Sequence, residues 1–311
     1  MESRFSSIEA TRRSLADQGY VADSGLSTSL FLALRMGKPL FLEGEPGVGK
    51  TELAKVVARA LDAPLVRLQC YEGLDLGQAV YEWNYPRQLL AIQARGASSA
   101  STSGGNTSGA SEGGPLDDIF TEEFLHRRPL LRAIDPKNDR APVLLIDELD
   151  RADEEFESFL LELLADFQVT IPEIGTLRAT HRPRVFVTSN RTREIHDALK
   201  RRCVYQWIDY PSAERELDIL RSRVPDIEDV LSEQVVAFVQ GLRQRDLYKL
   251  PGVAETLDWA RALGHLNCHR LELEVVEQTL GFLLKYQDDV DTLRRGAAET
   301  LVREVTAGAE S

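Results

Sequence analysis

Cysteine, long apolar runs and positive charge are all scarce in this sequence, and each shortage argues against a class of protein. The three cysteines, Cys70, Cys203 and Cys268, form no disulfide framework, which favours a reducing compartment. No stretch approaches the roughly 18 apolar residues that a membrane-spanning helix needs. The first residues lack the basic-then-apolar layout of a signal peptide. We therefore expect a cytoplasmic protein without a membrane span.

The net charge narrows the function classes further. A formal net charge of −13 at pH 7 argues against broad, sequence-independent nucleic-acid binding, which needs a cationic face. A local basic pore is still compatible with it. The 311 residues suffice to bury a full core and allow one large or two modest domains.

The stretch GEPGVGKT at residues 44–51 matches the phosphate-binding pattern G-x-x-x-x-G-K-T. An apolar run at 39–42 is typical of a buried strand, and apolar residues at helical spacing follow at 51–61. Such glycines let backbone N–H groups surround phosphate oxygens, and the helix directs its positive end at the anion. We expect Lys50 to reach the β- and γ-phosphates and Thr51 to ligate Mg²⁺. The predicted ATP-binding residues are Gly44, Glu45, Pro46, Gly47, Val48, Gly49, Lys50, Thr51 and, from a later strand, Asp147.

Polar residues follow two further apolar runs that are typical of buried parallel strands. Asp147 and Glu148 end the run at 143–146, and Asn190 follows the run at 185–187. Ligands collect at the carboxyl edge of such sheets. We expect Asp147 to hold Mg²⁺, Glu148 to orient and deprotonate the attacking water, and Asn190 to contact the γ-phosphate or the water.

Strand and helix patterns alternate as far as residue 208, and only helical patterns follow Pro211. The predicted fold is α/β: a P-loop NTPase parallel sheet sandwiched by helices, then a small all-α lid domain. We place the two domains at 1–210 and 211–311. The finer predictions are helices at 117–134, 154–167, 212–224, 228–247, 253–266, 271–287 and 289–306, a hairpin at 169–179, and a disordered Gly/Ser-rich insertion at 96–114.

Two other clusters invite a function. Lys200, Arg201 and Arg202 form either an ordinary basic helix end or an arginine finger that acts on nucleotide in a neighbouring subunit. His265, Cys268 and His269 offer metal-ligand types within five residues, but their spacing matches no strong zinc pattern.

Together these motifs resemble the AAA+ ATPases, and more closely the MoxR group and its CoxD-like branch. The resemblance rests on GEPGVGKT, on VLLIDE at 143–148, on VFVTSN ending in Asn190 and on ALKRR at 198–202. It implies a ring, expected to be a hexamer, with Arg202 as the preferred finger, Arg201 as the second choice and the hairpin facing a pore. It also implies a chaperone-like motor beside a von Willebrand factor A domain protein. The CoxD-like branch is linked to maturation of molybdenum-containing carbon monoxide dehydrogenase.

One departure from the family pattern concerns the lid. Relatives carry a second sensor arginine at the start of a lid helix, whereas the matching segment here, residues 251–256, contains none.

Three functions compete at this point. The first is an ATP-driven chaperone that remodels or matures a protein client and assists molybdenum or copper cofactor assembly. The second is a nucleic-acid motor, which the negative charge disfavours. The third is a GTPase switch, for which the N-K-x-D base-reading motif is missing.

Overall fold

A parallel β-sheet forms the centre of the computed structural model, which describes residues 4–100 and 119–308. The strands are β1 (Leu40–Gly44), β2 (Leu65–Gln69), β3 (Tyr81–Trp83), β4 (Leu125–Arg127), β5 (Val143–Asp147), β6 (Gln168–Ile171), β7 (Gly175–Arg178), β8 (Arg184–Ser189) and β9 (Val204–Ile208). In these ranges the central sheet has the order β2-β5-β8-β1-β9, and every neighbouring pair in it is parallel. This confirms the predicted α/β fold.

Helices cover both faces of the sheet and also make up the C-terminal region. They are α1 (Ile8–Ala16), α2 (Ser24–Met36), α3 (Lys50–Ala60), α4 (Leu76–Ala79), α5 (Tyr85–Ala100), α6 (Pro129–Ala133), α7 (Glu154–Asp166), α8 (Asp197–Lys200), α9 (Ala213–Arg223), α10 (Asp229–Arg243), α11 (Val253–His265), α12 (Leu273–Thr279), α13 (Gln287–Thr292) and α14 (Ala298–Gly308). Apolar side chains of α1–α3 pack in one core cluster, and those of α6 and α7 pack in the other.

The alternation of side chains along β1 explains why its whole apolar run is buried. Leu40 and Leu42 enter the cluster beneath α1–α3, and Phe41 enters the opposite cluster. Successive residues of a strand point to opposite faces, so a strand covered on both sides needs apolar residues throughout. The same argument holds for β5, whose residues are all buried.

Several local predictions agree with the structure. The predicted hairpin is the antiparallel pair β6–β7, in which Val169 faces Leu177. Helix α7 fills the predicted range and is capped by Asp153, whose side chain accepts the N–H of Phe156. Because β1, β5 and β8 are parallel neighbours, their carboxyl ends meet at one edge of the sheet.

The single helix predicted at 117–134 is wrong within residues 119–134. Strand β4 lies there and pairs with β3, with Trp83 opposite Leu125. The short helix α6 then begins at Pro129. Proline suits the first turn of a helix but not its interior, because its ring removes a hydrogen bond and clashes with the preceding turn. Pro129 was thus a sequence signal against one continuous helix.

Three other predicted ranges need correction. The helix predicted at 271–287 is too long, because α12 ends at Thr279 and only a 3₁₀ turn, Leu280–Phe282, continues it. The backbone leaves helical geometry at Arg295 and Gly296, where Gly296 has a φ of 113°, so the helix predicted at 289–306 is interrupted. Residues 96–100 continue α5 instead of belonging to a linker, because extending a formed helix costs little per residue. The rest of the predicted insertion, 101–114, lies outside the described residues.

The C-terminal region is helical, from α9 to α14, and it has its own apolar cluster around Trp259 and Phe238. A domain division at 210/211 stays a prediction. None of the helices in the described ranges is both long enough and apolar enough to cross a membrane.

Candidate active site

The loop of residues 45–49 joins β1 to α3, as the sequence predicts. Gly44, at the end of β1, lies against the neighbouring strand β9, and a Cβ there would be 2.1 Å from the carbonyl oxygen of Ile208. Any larger residue would have to separate the two strands. Glycine at this position therefore keeps the loop close to the sheet.

The Lys50 ammonium is folded back onto this loop. Its Nζ donates to the carbonyl oxygens of Gly44 and Glu45, each at 2.6 Å, and the residue is buried. Burial lowers the pKa of Lys50 to about 8, while the nearby carboxylates of Asp150 and Glu45 act in the opposite direction. Burial disfavours the charged ammonium. A bound phosphate would supply a counter-charge that stabilises it.

Asp147 is the most heavily hydrogen-bonded carboxylate of the cleft. Its Oδ1 accepts the hydroxyls of Thr51 at 2.8 Å and Thr188 at 2.6 Å. Its Oδ2 accepts Nε of Arg67 at 3.0 Å and Nη2 of Arg67 at 2.5 Å. Thr51 and Asp147 are 96 residues apart in sequence, and the fold brings them into contact.

The donor set formed by Thr51 and Asp147 fits Mg²⁺. A hydroxyl and a carboxylate are hard oxygen ligands, the type that Mg²⁺ takes beside substrate phosphates and water. Their hydrogen bond shows that the two oxygens already lie side by side. These two residues are the ones that would hold the ion.

Glu148 follows Asp147 in an uncommon backbone conformation. Its φ is 55°, in the left-handed region, where a residue with a Cβ is seldom found. Its N–H donates to Oγ1 of Thr188 at 2.9 Å, and its carboxylate forms an ion pair with Arg151 at 2.8 Å. Such conformations persist where surrounding contacts enforce them, and they concentrate at functional sites. Sequence reasoning missed Thr188, which contacts both acidic residues.

Asn190 lines the same cleft of about 280 Å³ as Lys50, Thr51, Asp147 and Glu148. Asp150 anchors its backbone, because Oδ1 of Asp150 accepts the N–H of Asn190 at 3.1 Å.

The Asp150 carboxylate also accepts the N–H and hydroxyl of Thr192, at 3.0 Å and 2.6 Å. Burial opposes ionisation of Asp150, but the hydrogen bonds from Thr192 and Asn190 prevail and lower the pKa of this carboxyl. A charged Asp150 therefore fixes the segment that presents Asn190.

A second cavity, of about 290 Å³, lies beside the polar cleft and shares part of its lining with it, including Gly47 and Ala254. Its lining is largely apolar and includes Tyr20, Val48, Ile219, Val253 and Leu257. An apolar cavity joined to a polar cleft matches the two parts of a nucleotide, the base and the phosphates. Sequence reasoning missed this cavity because its walls come from segments far apart in the chain.

The start of α11 rests directly on the phosphate-binding loop. The N–H of Ala254 donates to the carbonyl oxygen of Gly47 at 3.3 Å. A Cβ at Gly252 would lie only 2.8 Å from the carbonyl oxygen of Pro46. The C-terminal helices therefore contact the loop through backbone, at the place where relatives are expected to carry the second sensor arginine.

A buried ion pair holds this contact in place. Arg243 donates from Nη1 and Nη2 to the two carboxylate oxygens of Glu216, both at 2.7 Å, and from Nε to the carbonyl oxygen of Pro251 at 2.9 Å. The exposed fractions of these two side chains are 6% and 1%. Thr256 also donates to Glu216, at 2.8 Å. The pair thus connects α9, α10, α11 and the segment that reaches the loop.

Arg201 and Arg202 lie outside the cleft. Both residues are exposed at the end of α8, and Nη1 of Arg202 donates to the carbonyl oxygen of Leu161 at 2.5 Å. The structure therefore brings Asp147, Glu148 and Asn190 to the phosphate-binding loop and leaves the two arginines apart from it.

The histidine–cysteine segment forms no metal site. His269 pairs with Glu228 at 2.6 Å. Within residues 4–100 and 119–308, no group of three or more His, Cys, Asp or Glu side chains is arranged to hold a metal ion.

Comparison with protein families gives a match over residues 39–203 to the AAA domain of the dynein-related subfamily. The chain belongs to this family. The predicted AAA+ ATPase is confirmed at the level of this family, and with it the predicted enzyme class, an ATPase. The match covers β1, the phosphate-binding loop, Asp147, Glu148 and Asn190.

Two relatives are similar to the chain over about two thirds of its length or more. The gas vesicle ATPase GvpN of Haloferax mediterranei is 26% identical over 221 residues, which are 68% of this chain and 58% of the relative. The denitrification regulatory protein NirQ of Pseudomonas aeruginosa is 26% identical over 227 residues, 72% of this chain and 74% of the relative. The chain thus spans little more than half of the gas vesicle ATPase.

Solved structures of similar shape are distant in sequence. A putative ATPase from Cytophaga hutchinsonii has a TM-score of 0.47 and 16% identity, covering 97% of this chain and 96% of that one. The Holliday junction branch migration motor RuvB of Thermotoga maritima has a TM-score of 0.45 and 15% identity, covering 82% of this chain and 66% of that one.

Proposed function

We propose that this ATPase is a ring-forming, chaperone-like motor of the MoxR group that remodels or matures a protein client. The observation that carries the proposal is the two-part cleft, in which Lys50, Thr51, Asp147, Glu148 and Asn190 surround one space beside an apolar cavity. Such a cleft can bind and hydrolyse ATP. The free energy of hydrolysis would then be used to change the conformation of a protein client.

Each residue of the cleft has a proposed role. Lys50 neutralises the β- and γ-phosphates, and Thr51 and Asp147 hold Mg²⁺. Glu148 takes a proton from the attacking water, and Asn190 orients that water or the γ-phosphate. The contacts of Thr188 with both acidic residues support this division of roles, because they fix the Asp147 carboxylate relative to the backbone that presents Glu148.

The exposed arginines support an oligomer. Arg202, and second to it Arg201, would complete the cleft of a neighbouring subunit, where an arginine finger can raise the rate by roughly 10³–10⁵. Their exposure and their distance from the cleft of their own chain fit this role. We propose a hexameric ring, in which the tip of the β6–β7 hairpin, with Pro172 and Glu173 exposed, faces the pore.

The client is proposed from the resemblance to the CoxD-like branch. It would be a subunit of a molybdenum enzyme of the carbon monoxide dehydrogenase type during assembly of its molybdenum or copper cofactor, with a von Willebrand factor A domain protein as co-partner. The names of the two relatives concern gas vesicles and denitrification, so they support a role in protein assembly or regulation without selecting the client.

Affinity capture with a Glu148→Gln variant tests the proposal. This variant should bind ATP but hydrolyse it slowly, so that transient complexes accumulate. The matched control is a Glu148→Gln, Lys50→Ala variant, which should not bind ATP. Recovery of a metalloenzyme subunit or a von Willebrand factor A protein only by the single variant would support the chaperone function. Recovery of nucleic acid, with salt-sensitive oligonucleotide binding, would favour the alternative of a nucleic-acid motor.

A further inference from the structure

Arg67 reaches from β2 to the acidic residue at the end of the adjacent strand. In the register of β2 with β5, Gln69 is opposite Asp147 and Arg67 is opposite Leu145. The guanidinium extends along the strand to Oδ2 of Asp147, with Nη2 at 2.5 Å and Nε at 3.0 Å. The Asp147 side chain is 2% exposed and the Arg67 side chain 47%. A half-exposed cation thus neutralises a buried carboxylate.

In this arrangement the lone pairs of both Asp147 carboxylate oxygens are used by hydrogen bonds. A carboxylate accepts about four hydrogen bonds, and Asp147 receives four from Thr51, Thr188 and Arg67. A metal ion, or a water bound to it, can reach Oδ2 only if Arg67 withdraws. At Oδ1 it would have to displace one of the two hydroxyls.

Arg67 is the ligand of Asp147 that can leave with least disturbance. The Thr188 hydroxyl is buried and also accepts the N–H of Glu148, so its departure would disturb two acidic residues. Thr51 is itself the second expected ligand of the metal. The Arg67 side chain is half in solvent, and its Nη2 also donates to the side chain of Gln69.

We propose that Arg67 acts as an exchangeable counter-ion of Asp147: it neutralises the carboxylate while the cleft is empty and gives way to the divalent cation that arrives with the nucleotide. The inference rests on the proposed role of Asp147 at the metal. Two cations cannot share one buried carboxylate without mutual repulsion. Arg67 therefore sets the metal concentration at which the nucleotide-bound cleft takes up its divalent cation.

The test is metal binding by an Arg67→Gln variant, with ADP as the nucleotide and Mn²⁺ in place of Mg²⁺. Free Mn²⁺ is measured by electron paramagnetic resonance, independently of turnover. Without Arg67, the Mn²⁺ concentration for half-saturation should fall by roughly tenfold or more, the factor that follows from losing competing charge-assisted hydrogen bonds. Binding of ADP without metal should not change.

The matched control is Arg140→Gln. Arg140 has a 46% exposed side chain in an ion pair with Asp62 at 2.8 Å, away from the cleft. This variant should behave as the wild type. An Arg67→Lys variant should fall between wild type and Arg67→Gln, since lysine keeps the charge but not the forked geometry.

Thermal unfolding supplies a second measurement. Metal-free Arg67→Gln should unfold at a lower temperature than wild type, and Mn²⁺ with ADP should raise its Tm by more than that of wild type. Unchanged or weaker Mn²⁺ binding in Arg67→Gln would overturn the inference and leave the proposed function standing. A wild-type protein that binds no Mn²⁺ in the presence of ADP would overturn both.

Discussion

Lys50 is subject to opposing demands. Its ammonium must be charged to attract phosphate, yet it is buried, and burial lowers its pKa to about 8. The two carbonyl oxygens that it contacts compensate only in part, because they carry no full charge. The affinity for nucleotide should therefore depend on the protonation of this one side chain.

Raising the pH should weaken ADP binding. Since Lys50 is charged below its pKa and the phosphates bind the charged form, affinity should be highest below about pH 8 and fall above it. From about pH 7 to about pH 9 we expect a roughly tenfold increase in Kd, the loss that follows when the ammonium must be protonated on binding. Calorimetric titration with ADP measures Kd at each pH for the wild type and for Lys50→Arg. Arginine stays charged over this pH range, so the Kd of the variant should change less. Equal slopes in the two proteins would exclude Lys50 as the cause.

Sequence reasoning reaches some residues of the site more easily than others. The residues of the loop are consecutive, so their pattern is visible in the sequence, and Asp147 and Asn190 end recognisable strands. Arg67 and Thr188 contact Asp147 only because β2, β5 and β8 pair in one particular order and register. Strand order is not encoded in local spacing. These contacts therefore became visible only with the structure.

The helix pairs of the C-terminal region depend on the ion pair of Glu216 and Arg243. It joins α9 to α10, and through Thr256 and Pro251 it holds the segment that contacts the phosphate-binding loop. A buried pair with all its hydrogen bonds satisfied is tolerated, but removal of one partner leaves an unpaired buried charge. Substitutions in this buried pair should therefore lower the stability of the region more than substitutions on its surface.

Replacement of Glu216 should destabilise the protein strongly. Glu216→Ala is expected to lower the free energy of unfolding by about 3–5 kcal/mol, because Arg243 then remains buried without a counter-charge. The control Glu233→Ala removes an exposed partner of Arg221 and should cost under about 1 kcal/mol. Urea denaturation measures both. A double variant, Glu216→Leu with Arg243→Met, should recover much of the loss, and equal destabilisation by Glu216→Ala and Glu233→Ala would contradict this account.

The elements themselves were predictable to different degrees. Strand β5 is an apolar run ending in acids, a pattern that is typical of a strand buried on both faces. Strand β4 is three residues long and is stabilised by pairing with β3, so its periodicity is too short to detect. The interruption at Gly296 depends on one flexible residue within an otherwise helical pattern. Local patterns thus gave the long elements and missed those that tertiary contacts create.

At the scale of the whole molecule, one subunit's cleft is expected to need an arginine from the next. Arg202→Ala should therefore retain nucleotide binding and lose turnover, and Glu148→Gln should lose turnover as well. Subunits of the two variants mixed in equal amounts and allowed to exchange should regain about a quarter of the wild-type rate. This fraction follows because half of the subunits keep Glu148 and half of their neighbours keep Arg202.

A double variant gives the control for this mixture. Glu148→Gln mixed with Glu148→Gln, Arg202→Ala offers no intact Glu148 and should stay inactive. Full turnover by Arg202→Ala alone would reject the assignment of the finger.

The order of the strands also has a consequence during synthesis on the ribosome. β1 is made early, yet its partners in the sheet are β8 and β9, and β8 begins only at Arg184. At roughly 5–20 residues per second, the nascent chain carries Leu40, Phe41 and Leu42 for roughly 7–28 seconds before either partner exists. During this time the unpaired apolar strand β1 can associate with other chains. We therefore expect the nascent protein to aggregate unless β1 is shielded until β8 and β9 have been made.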